Sequence, residues 1–494
     1  MIVGLDGADF GITRKLMAQG GLPRLRALGG PARLLPLEST IPAQTAPGWT
    51  SMTTGVNPGK HGIYYFYNFS KSPPSIINSS DTTIPRIWDL VGAAGGRSIV
   101  VNVPVTYPAT RTSGVLVSGI PPWFVDERSV YPSSLMAKLK ASGYEIDAPM
   151  GRRLERDGEA LVTRLVETER RRVDLFLDLA GEERWSFGMV VLTALDRVQH
   201  HLLGGGSSAE RAVERGYAEL DALIGRIADT LGPEVNYIVA SDHGFNERPV
   251  AFYPNSWLRE RGFLLTRSSF RNRVTVAAHN LLDGRFLWAP KSVTKRYQGA
   301  RTSIRTVDAV DFVNSRAYVP GTDGVLVVKS KEDEGLIRAG LSELTDGSGA
   351  KICQVLSRDE VYRGDKVPSA PQLLLIPRDD INIRTDPFVR DFVSSKGDFP
   401  RANHGPTGIF LARGPDVVES DEPAPNLMDV AATALGLLGI VPPGYFDGRP
   451  LMGGVPKVPY SLNGDEREGP NESFEFTVAE EQQIMEQLTR MGYR

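Results

Sequence analysis

Seven short runs rich in β-branched residues, each closed by a polar or glycine-rich turn, constrain the fold of this chain more than any other feature. They are Ile2–Leu5, Ser98–Val105, Gly114–Val117, Gly188–Leu192, Tyr237–Ala240, Leu373–Ile376 and Gly408–Leu411. Runs that are this short and apolar throughout read as strands buried on both faces, as in a largely parallel sheet. Between them, Gly158–Leu179 and Ala209–Leu231 repeat apolar residues at three- and four-residue spacing, which is the helical period. Strand and helix alternate, so the expected class is α/β, with a mostly parallel central sheet flanked by helices. Ligands of such sheets gather where the strands end at their carboxyl side. Asp6 follows the first run, Asp196 follows Val190-Val191-Leu192, and Asp242-His243 follow Ile238-Val239-Ala240, so three strands carry acids to one rim.

At 494 residues the chain has room for a large core domain with an insertion. The pattern changes near Ala251, where Gly324–Val328 and Lys351–Val355 read as strands around a helix at Asp333–Leu344. We therefore expect a catalytic α/β core in 1–250, an inserted α+β cap in 251–400, and a closing part of the core in 401–455. A polar linker and a C-terminal helix fill 456–494. In the closing part Asn426–Leu438 reads as a helix of small residues, and Thr477 to Glu480 form a capping box before a helix with Ile484, Leu488 and Met491 on one face. A net charge of −3 argues against whole-molecule attraction to nucleic acid or membrane. Cys353 is the sole cysteine, so intrachain disulfides and cysteine zinc cages are excluded and any metal must use oxygen and imidazole. No apolar run approaches ~18 residues, and the N-terminus lacks a basic stretch followed by an apolar one. A cytoplasmic location is the expectation.

The chemistry concentrates in a few segments. Asp196 and His200 stand four apart, so on a helical turn both point the same way and can hold one divalent ion. Alone, the pair also suits a capped helix with a solvated histidine. Its neighbour His201 faces elsewhere and is not expected to be a ligand. Asp242-His243-Gly244 follows an apolar strand, and the glycine permits the turn that lets adjacent side chains reach one ion. His404, in Asn403-His404-Gly405, reads as part of a loop before a strand and would be a distant ligand. Of six histidines in the chain, His200, His243 and His404 fall in these segments. Thr45, in Thr45-Ala46-Pro47-Gly48-Trp49, stands where a helix would begin; a hydroxyl there meets unpaired amides and the positive end of the dipole, which favour a phosphate oxygen. An N-cap threonine is the alternative at that position. Together these residues describe two divalent metal ions flanking a hydroxyl nucleophile, the equipment of phosphoryl transfer. Mixed histidine and carboxylate donors suit zinc, with manganese second.

Leu5-Asp6-Gly7, Thr45-Ala46-Pro47 through Thr54-Gly55 to Pro58-Gly59-Lys60-His61-Gly62, Asp196-x-x-x-His200, Asp242-His243-Gly244 and His404-Gly405 occur in an order that resembles the alkaline phosphatase superfamily and, within it, the type I phosphodiesterase and nucleotide pyrophosphatase branch. The resemblance covers roughly 1–250 and 400–455 and implies an alkaline-phosphatase-like sheet. It implies that Asp6, Thr45, Asp242 and His243 hold one ion and that Asp196, His200 and His404 hold the other. Thr45 would attack phosphorus to form a phosphoryl-enzyme intermediate, which a water at the Asp196 side would hydrolyse. Asn68 is the nearest counterpart of an asparagine that binds a phosphate oxygen in many members. A sulfatase would need a Cys or Ser with a following arginine, and a phosphomutase relative a serine, in place of Thr45. The expected activity is cleavage of phosphodiester or pyrophosphate bonds; the alternatives are a phosphomonoesterase of the same superfamily or a catalytically silent binding module. Residues 267–305 carry nine basic side chains against Asp283 alone, interleaved with Phe270, Phe286, Trp288 and Tyr297. That composition suits a nucleotide-linked or phospholipid-like substrate or an anionic membrane surface, and equally a solvated face of the cap. No nucleic-acid recognition module is recognisable.

Overall fold

The computed structural model describes residues 1–29, 33–71, 74–148, 157–267, 309–395, 401–418, 424–451 and 473–490. Two compact units emerge: a larger one made of Met1–Glu247, Asp359–Ala370 and Pro400–Gly492, and a smaller one made of Arg248–Arg358 and Pro371–Phe399.

The larger unit is built on an eight-stranded sheet. Its strands are β1 (Ile2–Leu5), β2 (Leu35–Glu38), β3 (Ser98–Val103), β4 (Gly114–Ser118), β5 (Val130–Tyr131), β6 (Phe187–Leu192) and β7 (Tyr237–Ala240). A hairpin-like pair, β8 (Gly244–Glu247) and β9 (Ala402–Gly405), lies outside the sheet, and β10 (Thr407–Arg413) completes it. The order is β2-β10-β7-β1-β6-β3-β4-β5. The five central strands β7 to β4 run parallel, whereas β10 pairs antiparallel with β7 and β2, and β5 antiparallel with β4. The α/β class with a mostly parallel sheet is thus the observed architecture. Two runs behave differently from the parallel expectation. Gly408–Leu411 belongs to the sheet but runs antiparallel as β10, and Leu373–Ile376 lies in the smaller unit in an antiparallel sheet. Apolar continuity reports burial on both faces, and strand direction depends on the connection, which the run itself does not encode.

The pleat sends alternate residues of each strand to opposite faces. One set, including Ile2, Met189, Val191, Ile238 and Val100, packs with Trp49 and Met52 of helix α2 (Thr45–Thr54), with Ile87–Ala93, and with Val430, Ala431 and Leu435 of Leu427–Leu437. The other face receives α3 (Gly158–Glu182), which contacts β3 and β6 and packs with α4 (Ala194–Leu202) and α5 (Ser207–Leu231). The apolar stripes read from the sequence therefore become the two walls of a three-layer unit. The C-terminal helix Val478–Arg490 opens with Thr477 and Glu480 bonded reciprocally, and buries Ile484 and Leu488; Met491 lies outside the described residues.

The smaller unit has its own core, including Trp257, Leu326, Ile337, Leu341 and Leu375. Val325–Val328, Leu373–Pro377 and Cys353–Ser357 pair antiparallel in it, beside the helix Lys331–Ser342 capped by Ser330. No helix among the described residues is long and apolar enough to cross a membrane.

Candidate active site

β7, β1 and β6 are neighbours at the centre of the sheet, so their carboxyl ends open side by side. Backbone bonds stitch these ends together. The Asp6 N–H donates to the Leu192 carbonyl at 2.9 Å, the Asp196 N–H donates to the Asp6 carbonyl at 3.1 Å, and the Gly7 N–H donates to Asp242 Oδ1 at 3.2 Å. Asp196 and His200 ride on α4, whose start is held from another helix: Glu169 Oε1 of α3 accepts from the amides of Thr193 and Ala194 at 2.7 and 2.8 Å. A buried carboxylate at a helix N-terminus suits the dipole, and Arg172 beside it balances the charge.

His404 arrives by sheet pairing rather than from the expected loop. Residues Ala402–Gly405 form β9, which pairs with β8 so that His404 stands opposite Phe245. Gly244 is required there, because a Cβ on it would lie 2.2 Å from the Thr407 carbonyl oxygen. Thr45 is the first residue of α2, and the N-cap role falls to Gln44, whose side chain accepts from the Ala46 amide at 2.8 Å. The threonine hydroxyl is thereby spared from capping and lies 3.5 Å from His243 Nε2.

Asp6, Thr45, Asp196, His200, Asp242, His243 and His404 are all buried and converge. His243 Nε2 lies 3.3 Å from Asp242 Oδ2, 3.5 Å from Asp6 Oδ1 and 4.0 Å from Asp196 Oδ1. His404 Nε2 lies 3.2 Å from Asp196 Oδ1 and 2.9 Å from His200 Nε2, and His200 Nε2 lies 3.3 Å from Asp196 Oδ1. Two groups of candidate metal donors result: Asp6 with Asp242 and His243, and Asp196 with His243 and His404, sharing His243. His200, although 2.9 Å from His404 and 3.3 Å from Asp196, belongs to neither group, and nor does His201, next along α4. Asn68 lies on the short strand Tyr67–Asn68, where its amide donates to Asp81 at 2.7 Å and its carbonyl accepts from Ser70 at 3.0 Å.

The donor chemistry fits divalent cations. His243 Nδ1 faces the Gly244 carbonyl at 3.1 Å and His404 Nδ1 faces the Ala43 carbonyl at 3.1 Å. Carbonyls only accept, so both Nδ1 atoms carry the hydrogen and both Nε2 atoms face carboxylate oxygens. Lone pair against lone pair is repulsive unless a cation or proton stands between them, and a backbone-anchored imidazole is the usual posture of a metal ligand. Among the described residues Asp6 Oδ1 and Asp242 Oδ2 are buried without a hydrogen-bond partner, which is costly for acceptors unless something positive reaches them.

Electrostatics separates the three carboxyls. Burial, then the nearby Asp196 charge, pushes Asp6 up to about 8. Burial and then Asp6 raise Asp242 well above the usual carboxylate range. Burial also acts to raise Asp196, but His200 and Arg197 overcome it and hold this carboxyl well below its ordinary value. Arg197, itself fully buried, pairs through Nη1 with Asp196 Oδ2 and through Nε with Asp147 at 2.8 Å. Burial, then His404, holds the His243 imidazole well below its ordinary value, so it is neutral and able to ligate.

Supporting residues escaped the sequence reading. Trp49 donates to Asp6 Oδ2 at 3.4 Å, Gln199 donates to the Gly7 carbonyl at 2.7 Å, and Phe245 packs edge-on against His200 and His404. Arg197 lies inside the Asp196–His200 segment and was open to notice, whereas Asp147 and Glu169 carry no local signal. Of the basic stretch 267–305, only Arg267 lies within the described residues.

The sequence profile of the type I phosphodiesterase / nucleotide pyrophosphatase family matches residues 1–390. The chain belongs to that family. It is accordingly a phosphoester hydrolase. Among solved structures, phosphonoacetate hydrolase from Sinorhizobium meliloti 1021 in complex with phosphonoformate is similar with a TM-score of 0.57 and 17% identity, over 88% of this chain and 94% of that one. Human ectonucleotide pyrophosphatase / phosphodiesterase 5 gives a TM-score of 0.51 and 14% identity over 90% and 96%. The murine counterpart, as an inactive variant in complex with AMP, gives 0.53 and 13% over 89% and 94%. At these identities the likeness concerns the fold. No curated protein matches the chain. The family profile ends before His404, so that member of the cluster is placed by the β8–β9 pairing alone.

Proposed function

We propose that this family member cleaves phosphodiester or pyrophosphate bonds, with Thr45 as nucleophile and zinc as the metal in both donor groups. The observation that carries the reading is the Thr45 hydroxyl at the start of α2, 3.5 Å from the histidine shared by both candidate metal groups. In the first step the Thr45 oxygen forms a bond to phosphorus as the bond to the leaving oxygen breaks; in the second, water cleaves the phosphothreonine and releases phosphate or phosphomonoester. Asp6, Thr45, Asp242 and His243 would hold one zinc ion, and Asp196 and His404 the other, joined by His200, which stands 3.3 Å from Asp196. Bound there, divalent ions lower the pKa of a hydroxyl or water and offset charge on the phosphoryl oxygens. Arg197 and Asp147 orient Asp196, while Trp49 orients Asp6. The dipole of α2 favours the phosphoryl group next to Thr45.

Support also comes from the murine structural neighbour, whose inactive form with AMP is a threonine-to-alanine variant. A nucleotide-linked diester is therefore the first substrate class to try. The test compares zinc-loaded protein on bis-p-nitrophenyl phosphate and p-nitrophenyl phosphate, with mass spectrometry of quenched reactions. With the diester, faster turnover and a p-nitrophenyl phosphoryl group on Thr45 are expected; a preference for the monoester would move the reading to a phosphomonoesterase, and an unmodified Thr45 at full turnover would remove the covalent step.

A further inference from the structure

Gln44, the residue before Thr45, carries a buried side-chain amide that is not used as a donor among the described residues. Gln44 is completely buried, and its Nε2 has no hydrogen-bond partner among the described residues. Its orientation is determined: Oε1 accepts from the Ala46 amide at 2.8 Å, and an N–H can only be met by the oxygen, so a flipped amide is excluded. With Oε1 held at the first turn of α2, Nε2 on the same carbon stands at the mouth of that helix beside Thr45. The helix lends few donors of its own there. The Ala46 amide is taken by Gln44, Pro47 has none, and the Gly48 amide is bonded to the Gln44 carbonyl at 2.9 Å. Buried donors without partners are rare and costly, and one beside a nucleophile is a place for an incoming acceptor.

We propose that Gln44 Nε2 donates to a non-bridging oxygen of the phosphoryl group attacked by Thr45. Gln44 then performs two tasks with one amide, capping α2 through oxygen and binding the substrate oxyanion through nitrogen. The inference rests on the functional reading above, because it presupposes that a phosphoryl group sits next to Thr45.

Two substitutions separate the tasks. Gln44→Met removes both cap and donor without adding charge, while Gln44→Glu keeps an acceptor for Ala46 and replaces the donor by a second, anionic oxygen. Zinc content by mass spectrometry should stay unchanged in both, since Gln44 lies outside both donor groups. Turnover measured as kcat/KM on bis-p-nitrophenyl phosphate should fall roughly a hundredfold in both, the usual loss for one oxyanion donor. Loss in Gln44→Met with retention in Gln44→Glu would show that only the cap matters and overturn the proposal, as would retention in both. Should wild-type protein hydrolyse no phosphoester, the functional reading fails on its own. Thermal stabilisation of the zinc-loaded protein by inorganic phosphate then still tests Gln44: it must weaken in both variants, and equal stabilisation of wild type and Gln44→Met would sink the assignment.

Discussion

At the scale of single residues, the site separates groups that react from groups that hold. Thr45→Ala should reduce turnover by about a thousandfold or more while the melting temperature moves little, because the helix keeps its Gln44 cap. Circular dichroism beside steady-state kinetics checks both halves, and preserved turnover would point to another nucleophile. Asp6 makes a pH prediction. Its pKa stands at about 8 in the folded, metal-free protein against 3.8 as the ordinary value. A raised folded value stabilises the fold at low pH, and that contribution is lost as pH rises from about 4 to about 8. Zinc needs the ionised carboxylate, so zinc uptake below pH 8 should release protons and its apparent affinity should climb with pH, levelling off above 8. Calorimetric titration at pH 6 and pH 7 in buffers of different ionisation enthalpy reads the protons released; no release at either pH would contradict the raised carboxyl.

At the scale of elements, the site depends on helices anchored where no local sequence signal shows it. Glu169 of α3 holds the first amides of α4 and neutralises buried Arg172. Removing one partner of a buried pair costs about 3–5 kcal/mol, so Glu169→Ala should destabilise the protein by about that much. Chemical denaturation measures the loss, and zinc affinity should fall with it because Asp196 and His200 ride on the same helix. Gly4 makes a second case. A Cβ there would come within 2.4 Å of the Trp49 ring, and that indole donates to Asp6. Gly4→Ala should therefore cost about 1–3 kcal/mol by overpacking. It should also raise the zinc dissociation constant by turning Trp49 away from Asp6; an unchanged constant would mean that the indole bond is dispensable.

At the scale of the whole molecule, the eight predicted site residues all belong to the larger unit, and each unit has a core of its own. Ligand binding stabilises only what folds with it, by about 4 kcal/mol at a thousandfold excess over the dissociation constant. Scanning calorimetry of zinc-loaded and chelator-treated protein should show the transition of the larger unit shifting downward on chelation. If that transition stayed in place, the carboxylate and imidazole cluster would not be a metal site.

What the amino-acid order determined by itself was local in character. β-Branched runs and helical periodicity announced an α/β chain, because burial on both faces and the 3.6-residue period are written in consecutive residues. The acids at the ends of β1, β6 and β7 were equally legible, as was Asp196 with His200 one helical turn apart. Tertiary structure alone decided the rest. Only the sheet order made β7, β1 and β6 neighbours, and only pairing of β8 with β9 turned a presumed loop at His404 into a strand facing Phe245. The same holds for Gln44 as cap in place of Thr45, for Glu169 and Asp147 behind the carboxylates, and for the return of Asp359–Ala370 to the larger unit. The physical reason is that strand direction, partner choice and the matching of buried donors to acceptors are settled between segments hundreds of residues apart, where no window of sequence holds both partners.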